Sequence, residues 1–261
     1  MGKKIGVLDS GIGGLTTVKS LQDLLPGEDI IYFGDNKNVP YGNKSKDEIL
    51  ALTLKMIDFF KENDVKIVAI ACNTISTLID SYKDRYDFPI VDIISPTADY
   101  VVEKALENVA IIGTEFTVNQ ASYNKLILKQ NPDIEIISEG SKNLAALVDS
   151  GKFDDEETKE TISNHLKNLK SKGNYKNLVL ACTHYPIVQD IFLSFEPELN
   201  IINPAYQQAK TIKDYLSEKD LLNKQEMGSL NIYTSGGPEI YSKIIDRLEL
   251  INVGEIKTVD I

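Results

Sequence analysis

Short, fully apolar runs alternate along the chain with longer segments whose apolar residues recur at helical spacing. Lys4 to Leu8 (KIGVL), Asp29 to Gly34 (DIIYFG) and Val65 to Cys72 (VKIVAIAC) are predicted strands, because a strand covered on both faces is apolar throughout rather than alternating. Leu15 to Leu25 and Ser45 to about Asn63 are predicted helices. The second opens on Ser45-Lys46-Asp47-Glu48, a capping box, and its apolar residues at 49, 50, 52, 56, 57, 59 and 60 suit a helix laid on a sheet. Next come a helix capped by Asn73 or Thr74 and continuing to about Tyr86, a strand over Phe88 to Ile94, and a helix opened by Ser95 as cap with Pro96 at its first position. The pattern restarts at Val109 to Gly113 (VAIIG). A helix from about Asn119, a strand over Ile134 to Ser138 and a less regular stretch from Glu139 to Gly151 follow it. Asp154 to Lys172 is an amphipathic, heavily charged outer helix in which His165 needs no function. A strand from Asn177 to Cys182 and the segment Leu199 to Asn203, leading into a helix at Pro204, complete this run.

The apolar runs repeat in their endings. VKIVAIACNT (65 to 74) and NLVLACTH (177 to 184) both close on a cysteine and turn polar. Asp9, Cys72 and Pro96 are separated by 63 and 24 residues; Thr114, Cys182 and Pro204 are separated by 68 and 22. IISPTA (93 to 98) also matches IINPA (201 to 205). Two copies of one unit explain this, and they predict an α/β fold of two pseudo-symmetric, mostly parallel-sheet domains with the site in the cleft between them. LNIYTSGG (230 to 237) resembles the LDSGIGG of the first strand. The chain is therefore expected to return, giving one discontinuous domain of residues 1–95 plus 206–261 and a second of residues 96–205.

Composition narrows the function classes. With 42% hydrophobic and 26% charged residues in 261, the chain has a globular balance. A net charge of -11 argues against nucleic-acid and anionic-membrane partners, which need a basic footprint. No apolar run approaches the roughly 18 residues of a membrane span, and Met1-Gly2-Lys3-Lys4 leads straight into a strand, so a cytoplasmic location with reduced thiols is expected. Arg85 and Arg247 are the only arginines and neither lies in a motif, so backbone N–H groups, hydroxyls and amides are expected to hold any bound carboxylate.

Asp9-Ser10-Gly11-Ile12-Gly13-Gly14, between a strand and a helix, has the layout of an anion-binding loop but not the spacing of a dinucleotide fingerprint. Asp9 also reads as a simple helix cap. In the loop Asp35 to Asn43, Pro40 and Gly42 punctuate a turn expected to hold Tyr41 out from the scaffold, where it is either a ligand contact or a surface aromatic. Cys72, at a strand's carboxyl end and a helix N-terminus, is placed where a thiolate is favoured. If the two units face each other, Cys72 and Cys182 flank one small molecule, an arrangement that suits removing a proton from one face of a carbon and returning it on the other. Asp9 and His184 are candidate titratable neighbours of Cys72 and Cys182. A disulfide, inert buried cysteines, a Cys182–His184 hydrolase and a sparse zinc site are the alternatives.

Asp9-Ser10-Gly11-Ile12-Gly13-Gly14, Gly34-Asp35 with Pro40-Tyr41-Gly42, Ala71-Cys72-Asn73-Thr74 and Ala181-Cys182-Thr183-His184-Tyr185-Pro186, in this order, resemble glutamate racemase over essentially the whole chain. The resemblance implies a racemase without metal or cofactor that interconverts L- and D-glutamate for peptidoglycan, commonly as a homodimer. It implies that Cys72 takes the α-proton from the D enantiomer and Cys182 from the L enantiomer, with Asp9 and His184 assisting. Ser10, Tyr41, Gly42, Asn73, Thr74 and Thr183 are then expected to bind the amino acid. Where the family usually ends a proline-containing run in Val-Glu, this chain has Asp149, one methylene shorter. An aspartate or other amino-acid racemase and a non-catalytic two-lobed binding protein remain alternatives.

Overall fold

The computed structural model describes residues 3–260. Strands β1 (Lys4–Asp9), β2 (Ile30–Gly34), β3 (Val65–Ile70) and β4 (Ile90–Asp92) pair in parallel in the order β2-β1-β3-β4. Strands β5 (Val109–Thr114), β6 (Ile136–Ser141), β7 (Asn177–Ala181) and β8 (Asn200–Ile202) repeat that order as β6-β5-β7-β8 in a second parallel sheet. After the second sheet the chain returns to the first, adding β9 (Leu230–Thr234) beside β2 and then β10 (Val253–Thr258). The helices are α1 (Leu15–Leu24), α2 (Lys46–Glu62), α3 (Asn73–Ser76), α4 (Ile94–Glu103), α5 (Glu115–Gln120), α6 (Ser122–Gln130), α7 (Leu144–Asp149), α8 (Glu156–Lys172), α9 (Gln189–Phe195), α10 (Pro204–Glu218) and α11 (Glu239–Arg247).

The strands are apolar on both faces because each face feeds a different core. Ile5, Val7, Ile67 and Ala69 enter one cluster, while their neighbours Leu8, Val68 and Ile70 enter another on the far side of the sheet. In the second sheet Ala110, Ile112, Leu178 and Leu180 join the first of these clusters, and Val109, Ile111, Val179 and Ala181 form a third. The two sheets thus share one apolar interior. Gln208 of α10 locks the return crossover in place: it is fully buried, its Nε2 donates to Ile70 O at 3.0 Å and Val91 O at 2.9 Å, and its Oε1 accepts from Thr17 Oγ1 at 3.1 Å. Without such partners a buried amide would be costly.

Several local expectations give way to tertiary contacts. The capping box is present: Ser45 Oγ accepts the Glu48 N–H, and Glu48 accepts the Ser45 N–H at 2.9 Å. The helix expected from Asn73 to Tyr86 stops instead at Ser76, and 3-10 turns cover Ile79–Ser81 and Lys83–Arg85. Buried Tyr82 folds back so that its hydroxyl donates to Ile75 O at 3.1 Å, ending the run. Cys72 itself is the N-cap residue of α3, and its side chain makes no cap bond. Ser95 is not the cap of α4 either. Asp92 Oδ1 accepts the Ile94 and Ser95 N–H groups, both at 2.8 Å, so an upstream carboxylate does that work and the helix begins at Ile94. The helix after β5 starts at Glu115, capped by Thr114 Oγ1, and breaks at left-handed Ala121. The stretch called irregular holds the end of β6 and α7.

Candidate active site

The two sheets present the carboxyl ends of equivalent strands to one cavity of about 660 Å³. Ser10, Tyr41, Gly42, Cys72, Asn73 and Thr74 line it from the first sheet's loops; Cys182, Thr183 and His184 line it from the second's. Both cysteines are free and buried, so they form no disulfide. Among the described residues no three His, Cys, Asp or Glu side chains converge as a metal site would require.

Around Cys72, Ser10 Oγ lies 3.3 Å from Sγ. Asp9, which ends β1, is fully buried behind the lining; its Oδ2 accepts the Gly11 N–H at 3.1 Å and its Oδ1 accepts the Thr183 hydroxyl at 3.4 Å. It therefore satisfies its own turn, as a cap would, while also reaching across to the other unit. Gly13 makes that crossing possible. A Cβ on Gly13 would lie 2.4 Å from Thr183 Oγ1 and 2.7 Å from His184 Nδ1, closer than atoms can approach.

Around Cys182 the partners are different. His184 Nδ1 lies 3.6 Å from Cys182 Sγ, and His184 Nε2 lies 2.8 Å from Asp149 Oδ1. Asp149 ends α7 and lines the cavity, so the carboxylate one methylene shorter than the family pattern still reaches the imidazole.

These surroundings set the charges. Burial pushes the Cys72 thiol up to about 12, and the neighbouring Asp9 carboxylate adds to the effect; the Ser10 hydroxyl and Ile75 N–H only partly offset it. The helix-terminus argument for a Cys72 thiolate is thus corrected: α3 has four residues, too short for a useful dipole, and burial beside an acid dominates. Burial also raises Asp9, with the His184 charge acting the other way. For His184, burial acts to lower its pKa, but the Asp149 carboxylate and the Cys182 sulfur outweigh it, so the imidazole is held well above its ordinary value and stays protonated.

Tyr41 is also corrected. It does not stand out from the scaffold; it is buried, and its hydroxyl donates to Asp35 Oδ2 at 2.6 Å. Asn73 Oδ1 accepts from Tyr123 at 2.6 Å, whereas its buried Nδ2 lacks a partner among the described residues. Thr74 Oγ1 faces Thr114 Oγ1 and Thr117 Oγ1, each at 3.4 Å. The lining also contains Thr114, Glu115, Phe116, Ser141 and Lys142, which sequence reasoning did not name as site residues. The duplication held the signal for two of them. Thr114 ends β5 as Asp9 ends β1, and Ser141 pairs with Thr114 as Gly34 pairs with Asp9. His165 has a structural partner, Glu139 Oε1, at 2.9 Å.

Known proteins share the sequence and the fold of this chain. A glutamate racemase of Thermoanaerobacter pseudethanolicus is 38% identical, with 99% of this chain and 98% of that protein aligned. The crystal structure of a glutamate racemase isoform from Bacillus anthracis superposes with a TM-score of 0.92 at 27% identity, over 99% of this chain and 98% of that one. That of the Francisella tularensis glutamate racemase in complex with D-glutamate gives 0.90 at 32% identity, over 99% and 97%. A sequence profile of the family described as Asp/Glu/Hydantoin racemase matches residues 5–205. With full-length relatives, a shared fold and a family match across both repeated units, the chain belongs to the Asp/Glu/Hydantoin racemase family.

Proposed function

We propose that this protein interconverts L- and D-glutamate by moving the α-proton between two cysteines. The observation that carries the reading is the pair of buried free thiols, Cys72 and Cys182, which leave equivalent strand ends of two like sheets and line one cavity. Glutamate is the substrate named for the full-length relatives, and D-glutamate is the ligand in the Francisella tularensis structure.

The proposed resting state has the proton on Cys72 and the abstracting sulfur at Cys182. Cys72 faces a carboxylate, and Cys182 faces a protonated imidazole. From L-glutamate, the Cys182 sulfur takes the α-proton and leaves a carbanion next to the substrate carboxylate. The Cys72 thiol then gives its own proton to the opposite face of that carbon. The products are D-glutamate, a Cys182 thiol and a Cys72 thiolate, and the reverse order of steps serves D-glutamate. The resting state returns by exchange with water: His184 passes its proton to water before taking the one on Cys182, and Asp9 takes a proton from water before handing it to Cys72. Ser10, Tyr41, Gly42, Asn73, Thr74 and Thr183 hold the amino acid.

The wider setting follows from the same reading. Residues 1–95 plus 206–261 and residues 96–205 act as the two lobes around the substrate. The enzyme works as a homodimer in the cytoplasm and supplies D-glutamate for peptidoglycan. No described helix is long and apolar enough to cross a membrane.

Incubation with L-glutamate in heavy water tests the reaction. Loss of optical rotation with deuterium entering the α position is the expected result, without added pyridoxal phosphate or metal. Binding without either change would make the protein a two-lobed receptor, and turnover of aspartate in place of glutamate would reassign the substrate.

A further inference from the structure

Asp35 takes no part in the chemistry above, yet it is fully buried just beyond the carboxyl end of β2 and its carboxylate is a hub. Tyr41 Oη donates to Oδ2 at 2.6 Å, Asn38 Nδ2 lies 2.9 and 3.0 Å from the two oxygens, and Ser235 Oγ donates to Oδ1. Ser235 Oγ also accepts the Lys37 N–H at 3.0 Å. Next to this hub, Asn36 Oδ1 accepts the Tyr241 hydroxyl at 2.5 Å and the Thr234 hydroxyl at 3.1 Å. Three hydroxyls from the returning segment, on β9, α11 and the turn between them, therefore pin the start of a loop whose later residues Val39 to Asn43 line the cavity.

A buried carboxylate is costly unless donors surround it. Here the donors come from two separate parts of the chain, so the charge forces both into register. The Tyr41 hydroxyl is committed to Asp35, so Tyr41 meets the cavity with its ring and backbone while the hydroxyl serves as a tether. Beside it, the Cβ position of Gly42 faces Phe116 Cβ and Thr114 Cβ of the other unit, both at 3.9 Å. A shift of this loop would change the width of the cleft directly.

We infer that Asp35 is a positioning residue which, together with Ser235, holds Tyr41 and Gly42 in place against the cavity, so that the returning C-terminal segment sets the shape of the substrate site. The inference rests on reading this cavity as the amino-acid site. Its physical basis is preorganisation: a loop ordered before the ligand arrives does not have to be ordered by it.

Asp35→Asn keeps the side-chain shape but exchanges one acceptor oxygen for a donor, and Ser235→Ala removes one donor from the returning segment. In Asp35→Asn the KM for glutamate is expected to rise roughly tenfold, the size of one lost charge-assisted hydrogen bond, with kcat within about twofold. Amide hydrogen exchange across residues 36–45 should quicken by a similar factor while β3 and β7 keep their protection. Ser235→Ala should move both readouts the same way by a smaller factor, and it carries the test if Asp35→Asn does not fold. In a Tyr41→Phe background, Asp35→Asn should add less than about twofold, because the tether is already gone. Unchanged KM and exchange, a KM rise without faster exchange, a loss confined to kcat, or independent multiplication of the two substitutions would each overturn the inference. If the wild-type protein fails to racemise glutamate, the proposed reaction falls, and the exchange arm still decides whether Asp35 and Ser235 hold the loop.

Discussion

Cys72 and Cys182 hold equivalent places in the repeat, but their neighbours have diverged. At the end of the first strand of each unit stand Asp9 and Thr114, and two residues beyond the cysteines stand Thr74 and His184. One sulfur is left beside a carboxylate and the other beside an imidazolium. Replacing either cysteine with alanine is expected to lower racemisation by more than about a thousandfold, with an unchanged far-UV circular dichroism spectrum, since each removes a proton carrier. Near-normal turnover in either variant would end the two-thiol mechanism. The pairing of His184 with Asp149 makes a second prediction. Because Asp149 and Cys182 together outweigh burial in raising His184, with Asp149 the larger of the two, Asp149→Asn should shift the alkaline limb of kcat/KM to lower pH. The stability linked to this pair has a definite sign as well. With the folded pKa raised, the contribution is complete below the ordinary imidazole value of about 6.5 and is lost as pH rises through the folded value. Urea midpoints should therefore fall over that window more steeply in the wild type than in Asp149→Asn.

At the scale of elements, the sequence exposed whatever depends on neighbours in the chain. The apolar runs of β1, β2, β3, β5 and β7 and the Ser45 capping box are local signals, and they stand as predicted. The sequence concealed whatever depends on distant partners. The stop of α3 at Ser76 is enforced by the Tyr82 hydroxyl, the α4 cap comes from Asp92, and Tyr41 is drawn inward by Asp35. The return of the chain was legible from LNIYTSGG, but α9, α11 and β10 went unread. The candidate site was legible for the same reason as the strands: strand ends in a parallel α/β fold converge, so residues after apolar runs gather in space. Asp149 entered only through the family resemblance, because helix α7 carries no strand-end signal. The glycine turn gives this scale its prediction. Gly13→Ala places a methyl against Thr183 Oγ1 and the His184 ring. It should cost about 1–3 kcal/mol of stability by overpacking and lower kcat, whereas full activity with an unchanged melting temperature would refute the close approach.

For the whole molecule, the apolar cluster common to both sheets matters most. Ile5, Val7, Ile67 and Ala69 pack in one interior with Ala110, Ile112, Leu178 and Leu180. The two units are therefore expected to unfold together, with tyrosine fluorescence and far-UV circular dichroism reporting one coincident transition. Leu180→Ala should lower stability by about 2–5 kcal/mol and move both signals equally; two separated transitions would contradict the shared interior. The unlike neighbours of the two sulfurs lead to one more consequence. Mirror-image amino acids have equal free energy in water, so no arrangement of side chains can make the enzyme favour one of them at equilibrium. The Haldane relation then requires kcat/KM to be the same from either enantiomer at every pH. An enzyme that rests with its proton on one particular cysteine can express that preference only by trading kcat against KM. Saturating velocities from the L and D sides should therefore differ, and their Michaelis constants should differ by the same ratio.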